Sequence, residues 1–222
     1  MKTNINIAID GPAGAGKSSV ARECAKQLGY IYVDTGALYR SIALFALENS
    51  VDTHSEEAVS AILSGLQLEL AYSDGKQCVI LGGEDVSEKI RSNEVSMNAS
   101  VVSAYPAVRS FLLGLQRDIA AKNNIIMDGR DIGTVILPNA QLKIFLTASV
   151  DKRAERRYKE LCAKGMKPDF DKLCEEIKQR DYNDEHRETA PLKCADDAVL
   201  LDTSDMNFNE VVETILSMIS EI

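Results

Sequence analysis

The sequence lacks any apolar run long enough to cross a bilayer. Its longest stretch without a charged residue, Val95–Val108, is broken by serines, an asparagine and a proline, whereas a spanning helix needs about 20 apolar residues. No secretory leader is expected either, because the apolar run after Met1 and Lys2 ends at Asp10 and no small-residue cleavage site follows. Cysteine is sparse: Cys24, Cys78, Cys162, Cys174 and Cys194 form an odd, scattered set without a CxxC pair. That argues against a disulfide framework or a zinc site and favours the reducing cytoplasm. Positive charge is in deficit, with 25 Lys and Arg against 34 Asp and Glu, a net charge of −9, and aromatics at only 5%. A nucleic-acid binder needs a basic excess and single-strand binders add aromatic platforms, so no nucleic-acid partner is expected. A small phosphate ligand, which needs only a few local cations, stays open.

What is present is an ordinary folded chain of 222 residues, 45% apolar and 27% charged. Length and composition predict one domain (1–222) with a small insertion, and a monomer, since no dimerisation stripe is visible. Ile5, Ile7 and Ile9 alternate with Asn6 and Ala8 and run into glycines, the pattern of a strand. Val20, Ala21, Cys24, Ala25 and Leu28 then fall on one helical stripe stopped by Gly29. Tyr30–Val33 reads as a second strand and Leu38, Ile42, Phe45 and Leu47 as a second helix. Further strands are expected at Ile125–Met127, Leu142–Leu146 and Ala198–Leu201, and helices at Ala107–Lys122, Asp151–Lys164, Phe170–Asn183 and Asn207–Ile222. This alternation predicts an α/β fold with a parallel sheet flanked by helices. Leu66–Asp85 breaks the rhythm with two alternating runs around turns at Ser73-Asp74-Gly75 and Gly82-Gly83, an antiparallel meander. From Asn49 to Ser100 there are nine acidic residues and three basic ones, which sets this stretch apart as an insert.

Gly11-Pro12-Ala13-Gly14-Ala15-Gly16-Lys17-Ser18 matches G-x-x-x-x-G-K-[ST] at every fixed position. Glycines let successive N–H groups curl around phosphate oxygens, and the following helix aims its positive end at them. Lys17 reaches the β- and γ-phosphates and the Ser18 hydroxyl helps to hold Mg²⁺ in this motif. The GTPase signatures Asp-x-x-Gly and Asn/Thr-Lys-x-Asp occur nowhere, so a kinase is the better fit for the loop. Arg40, Arg109, Arg130, Arg153, Arg156, Arg157, Arg180 and Arg187 offer several guanidinium forks, which a kinase acting on a second phosphate requires. Arg153, Arg156 and Arg157 also fit a solvated helix face, because 151–188 holds eleven basic and eleven acidic residues. Asp52-Thr53-His54 reads as a loop or helix cap and His186 as a surface residue. The residues alone leave open another small P-loop kinase, for uridylate or a metabolic alcohol, or a non-catalytic nucleotide-binding regulator.

Four motifs together resemble the bacterial-type cytidylate kinases: Ile9–Ser19, Asp34-Thr35-Gly36-Ala37-Leu38-Tyr39-Arg40, Asp128-Gly129-Arg130-Asp131-Ile132-Gly133-Thr134, and Arg180-Asp181-x-x-Asp184-x-x-Arg187. The resemblance runs along nearly the whole chain. It implies the nucleoside-monophosphate-kinase fold, with a five-stranded parallel core, a monophosphate-binding insert at about 62–104 and a helical lid at about 151–188. It implies transfer of the ATP γ-phosphoryl group to CMP or dCMP with Mg²⁺, and no membrane partner. Gly11, Pro12, Ala13, Gly14, Ala15, Gly16, Lys17, Ser18 and Ser19, with Arg156 and Arg157, would bind ATP. Thr35, Arg109 and Asp131 would line the cytosine with Arg187 close by, and Ser100, Arg180 and Asp184 would face the pentose. Arg40 and Arg130 would grip the acceptor phosphate beside Asp128. Lys17, Arg130, Arg156 and Arg187 would be catalytic, and Ser18 the metal contact. The base-reading logic is physical: cytosine presents an amino donor and a ring-nitrogen acceptor where uracil presents the reverse, and mispaired buried polar groups discriminate strongly.

Overall fold

The N-terminal alternation forms strand β1 (Asn6–Asp10), whose Ile7 and Ile9 are fully buried on one face and Ala8 on the other. The computed structural model describes residues 4–73 and 76–222, so Asp74 and Gly75 of the expected turn lie outside the described residues. After β1 come α1 (Lys17–Leu28), β2 (Ile31–Asp34), α2 (Thr35–Glu48) and α3 (Glu56–Ile62). The insert holds β3 (Leu68–Ser73), β4 (Lys76–Leu81) and β5 (Glu84–Asp85), followed by α4 (Asn93–Val102) and α5 (Pro106–Lys122). The chain then completes the main sheet through β6 (Ile125–Gly129), β7 (Leu142–Thr147) and β8 (Val199–Asp202), with α6 (Val150–Ala163), α7 (Phe170–His186) and α8 (Phe208–Ser220).

The main sheet is parallel in the order β2-β6-β1-β7-β8, and β3-β4-β5 form a separate antiparallel sheet. Ile7, Ile9, Ile126, Ile144 and Leu146 pack beneath α1 and α8, while Ala8, Val33, Ile125 and Met127 face Ala120 of α5 on the other side. Burying one such aliphatic side chain stabilises by roughly 1.5–3 kcal/mol. A third cluster joins α2, the insert and α5, with Leu38, Ile42, Val79, Val102 and Leu112 at its centre. Each parallel strand ends at the same edge, where Asp10, Asp34 and Asp128 stand close together. That edge, on either side of the central β1, is where open α/β sheets bind ligands.

Several elements depart from the sequence expectation. Helices α3 and α4 were not read from the pattern, because short polar-rich segments carry little periodicity. Asp52-Thr53-His54 is a loop, and the cap of α3 is Ser55, whose hydroxyl accepts from Ala58 N at 3.2 Å. After Asp131 the chain makes a wide helical turn, Ile132–Ile136, with Ile136 N bonding Asp131 O and Leu137 N bonding Ile132 O. His186 is exposed, as expected, and stacks on Tyr182. The solvated-face reading of Arg153 is corrected: its side chain is only 4% exposed and lies under the phosphate loop.

Candidate functional site

The turn from β1 into α1 sets one end of the site. Gly11 has φ +143, and a Cβ there would sit 2.0 Å from the Leu146 carbonyl oxygen, so no other residue fits the close approach of β7. Gly16 opens α1 in the left-handed region at φ 93, with no side-chain cap. The first-turn N–H groups are therefore free of side-chain acceptors and point toward the loop, an arrangement ready for an anion. Lys17 Nζ donates to Pro12 O at 2.7 Å, and the Ser18 hydroxyl donates to Asp128 Oδ2 at 2.8 Å. Pro12 and Gly11 thus form the back of the loop.

The loop faces a cavity of about 690 Å³. Ala13, Gly14, Ala15, Gly16, Lys17, Ser18 and Ser19 line it from the loop side, with Arg156 beside them. Thr35, Arg40, Ser100, Arg109, Asp128, Arg130, Asp131, Arg180, Asp184 and Arg187 line the remainder. Residues more than 150 positions apart in the chain meet there because α2, α4, α5, α7 and the end of β6 converge on one sheet edge. Gly11, Pro12 and Arg157 are not part of the lining; Arg157 is on the surface, 3.4 Å from Glu160. Seven cationic and five acidic side chains line the cavity, a locally positive site on a chain of net charge −9.

Most of the lining arginines are held by specific partners. Arg40 Nη2 donates to Asp34 Oδ2 at 2.8 Å, while Asp34 also caps α2 by accepting from Ala37 N at 3.0 Å. Arg130 Nε donates to Asp184 Oδ2 at 2.7 Å, joining β6 to α7. Arg109 pairs with Asp131 and donates to Ser103 O at 3.0 Å, with its guanidinium 5.6 Å from the Tyr39 ring centroid. Arg156 donates to Ala15 O at 3.1 Å and to Thr203 O at 2.7 Å. The Thr35 hydroxyl donates to Asp128 O at 2.8 Å. Arg40 Nε and Arg187 Nη2 are buried without a hydrogen-bond acceptor, although Arg187 lies 3.6 Å from Asp131. Buried donors left open in this way call for an anionic ligand.

Burial and like charge set the electrostatics. Burial, with Arg130 adding repulsion, pushes the Lys17 ammonium down to about 7, against the pull of Asp128, Asp10 and Asp184. Asp10, which accepts from Ile132 N at 2.8 Å and Gly133 N at 2.7 Å, is pushed up to about 6, mainly by burial. The Asp128 carboxyl is also raised, by burial and by Asp34. Burial alone would raise Asp184, but Arg130, Arg180 and Arg187 outweigh it and hold the carboxyl below its ordinary range.

Several lining residues escaped the sequence reading. Tyr39 lies within a quoted motif but was given no role; Thr203, Asn207 and Phe208 come from the loop before α8 and its first turn. Tyr32, just outside the cavity, donates its hydroxyl to Asp128 Oδ1 at 2.7 Å. The apolar run Tyr30–Val33 marks a strand, but nothing in it shows that the Tyr32 hydroxyl reaches β6.

The chain is similar to known proteins along almost its whole length. The family model described as cytidylate kinase matches residues 7–221. The cytidylate kinase of Caldicellulosiruptor bescii is 49% identical over 218 residues, covering 98% of this chain and 96% of the relative. That of Streptococcus pneumoniae strain 70585 is 53% identical over 216 residues, 97% of this chain and 96% of the relative. Among solved structures, an uncharacterized protein from Eubacterium ventriosum aligns with a TM-score of 0.50 at 13% identity, over 99% of this chain and 100% of that one, a likeness of fold alone. With a match along almost its full length, the chain belongs to the cytidylate kinase family.

Proposed function

We propose that the protein transfers the γ-phosphoryl group of ATP to CMP or dCMP, yielding ADP and CDP or dCDP. The observation that carries this reading is a single cavity with two unlike ends. One end is an uncapped helix N-terminus with Lys17; the other is a set of arginines with two buried donors left open. The donor's phosphates fit the first and the acceptor's phosphate fits Arg40 and Arg130. A polar set of Thr35, Arg109 and Asp131 remains for the base, with Ser100, Arg180 and Asp184 near the sugar.

Phosphoryl transfer needs little beyond positioning and neutralisation of spread charge. Lys17, Arg130, Arg156 and Arg187 supply the cations, and no side chain need act as base because the acceptor phosphate is already anionic. The site also fits Mg²⁺. Ser18 and Asp128 offer a hydroxyl and a carboxylate oxygen 2.8 Å apart, and among the described residues no group of three or more His, Cys, Asp or Glu forms a metal cage. That sparse set suits a cation that keeps waters and phosphate oxygens as its other ligands. Bound there, Mg²⁺ would neutralise charge on the β- and γ-phosphates.

Helices α6 and α7, which make up most of the segment at about 151–188, would act as the lid, and the segment at about 62–104 would frame the monophosphate side. Water competes as an acceptor, so closure of α6 and α7 over both nucleotides would exclude it. The reading is of a monomer working on free nucleotides in the cytoplasm, without a nucleic-acid or membrane partner. Free cysteines support the compartment, and no helix of the described residues is long and apolar enough to cross a membrane. A panel of CMP, dCMP, UMP, AMP and shikimate, read by coupled ADP release, tests the function. Rapid turnover is expected with CMP and dCMP only. Brisk turnover of another acceptor with none of CMP would overturn it.

A further inference from the structure

Among the cations of the described residues, Arg153 makes the most side-chain hydrogen bonds, yet it does not line the cavity. From the first turn of α6 its Nε donates to Ala148 O at 2.9 Å, at the root of its own helix. Nη1 donates to Ala13 O at 2.9 Å, inside the phosphate loop. Nη1 and Nη2 also grip the Asp181 carboxylate, at 2.9 Å and 2.5 Å, on α7. The loop rests directly on this side chain, since a Cβ on Gly14 would lie 3.4 Å from Arg153 Cβ. Asp181 is also outside the cavity, but the neighbouring Arg180, Asp184 and Arg187 line its acceptor side.

A guanidinium is planar and rigid, and its fork presents donors in fixed directions. A shift of the Ala13 carbonyl must therefore tilt the plane that holds Asp181, or break one of the bonds. Arg156, one turn further along α6, also holds a loop carbonyl, that of Ala15, but its second attachment is to Thr203 rather than to α7. Among the described residues, Arg153 alone hydrogen-bonds both the loop and α7. We propose that the Arg153–Asp181 pair is a positioning link that transmits occupancy of the phosphate loop to α7, so that donor binding tightens acceptor binding. The link rests on the function proposed above for the identity of the two ligands. Neither residue touches a reacting atom; both act through Ala13 on one side and Arg180, Asp184 and Arg187 on the other.

The test is the coupling factor between sites. CMP affinity is measured by calorimetry with and without a nonhydrolysable ATP analogue, in the unaltered enzyme and in Asp181→Asn and Arg153→Lys. In the unaltered enzyme the analogue is expected to tighten CMP by about tenfold, within the usual range of coupling between sites. In both variants that factor should fall below about twofold, while the affinity for each nucleotide alone changes by less than about threefold. Arg153→Lys keeps the charge but loses the fork, so full coupling in that variant would overturn the link. A purely structural brace would lower the melting temperature and leave the factor intact, and that result would overturn it as well.

A second readout needs no CMP. Hydrogen exchange along 176–184 should slow when the analogue binds the unaltered enzyme and stay unchanged in Asp181→Asn. If the unaltered enzyme does not bind CMP, the proposed substrate fails, and the exchange measurement decides the link by itself. Should a single variant fail to fold, Arg153→Met combined with Asp181→Leu removes both charges at once, and replacing a whole buried pair is commonly tolerated. The same loss of coupling is expected there, and retained coupling would refute the proposal.

Discussion

Lys17 is held almost without solvent contact, 5% exposed, with its ammonium pushed down to about 7 by burial and by Arg130. Between that value and the ordinary lysine range the unfolded chain binds more protons than the folded one. Ligand-free stability from this group therefore rises with pH across the window above about 7. A phosphate beside Lys17 restores its charge. ATP binding at pH 8 should then take up close to one proton, and at pH 6 almost none, measured by calorimetry in buffers of different ionisation enthalpy. Lys17→Ala should abolish the uptake and lower turnover severely while leaving CMP binding largely intact. Arg109 makes a different case. Arg109→Met removes the partner of Asp131, but Arg187 remains 3.6 Å away, so the carboxylate is not stranded. Stability measured by urea melts should fall by about 1–2 kcal/mol. Over the same substitution kcat/KM for CMP should drop by about 10²–10³-fold, because a buried base-reading donor is lost. Equal free-energy losses in the two measurements would contradict a base-reading role.

At the scale of elements, helix ends divide by purpose. Helix α8 closes its N-terminus with a capping box, in which Asn207 accepts from Glu210 N and Glu210 accepts from Asn207 N. Helices α3, α4, α6 and α7 are capped by Ser55, Ser92, Ser149 and Asp169. Among the α-helices of the described residues only α1 and α5 have no side-chain cap, and of these two α1 is the one whose N-terminus opens on the cavity. Asp34 serves two elements at once, capping α2 and aiming Arg40 at the cavity. Asp34→Ala is expected to cost about 1 kcal/mol in thermal or urea unfolding, the usual loss for an N-cap. It should also raise KM for CMP several-fold with a smaller change in kcat, because Arg40 loses its orientation but remains present. An unchanged KM would show that Arg40 holds its position without the cap.

For the molecule as a whole, α6 and α7 are joined through exposed Lys164, Gly165, Met166 and Lys167. They are tied to the main sheet mainly through Arg153, Arg156 and the Arg130–Asp184 pair. Elements attached by a few polar links open more readily than those sharing an apolar core. Limited trypsin digestion should therefore cut first at Lys164, since the Lys167-Pro168 bond resists trypsin, and the cleavage rate should fall markedly once both nucleotides are bound. Each nucleotide at 100 times its Kd adds about 2.7 kcal/mol to global stability. Protection at Lys164 beyond that of distant surface sites would separate local closure from global stabilisation.

The sequence by itself determined the parallel strand–helix rhythm, the phosphate loop and the meander, because these depend on local rules, whereas the acceptor-side residues were indicated only by the resemblance of four motifs to a family. Side-chain periodicity marks the buried faces, and a glycine-rich turn followed by Lys-Ser has one dominant use. Only the tertiary structure decided which charges face solvent and which are buried. Arg153 and Arg157 are four residues apart on one helix with equal charge, yet one braces the phosphate loop and the other is on the surface beside Glu160. Composition cannot separate them, since burial of an arginine depends on carbonyls and carboxylates supplied from elsewhere: Ala13, Ala148 and Asp181. The wide turn after Asp131 and the reach of Tyr32 to Asp128 share that origin, for both are set by strand register across β1, β2 and β6 rather than by neighbours in the chain.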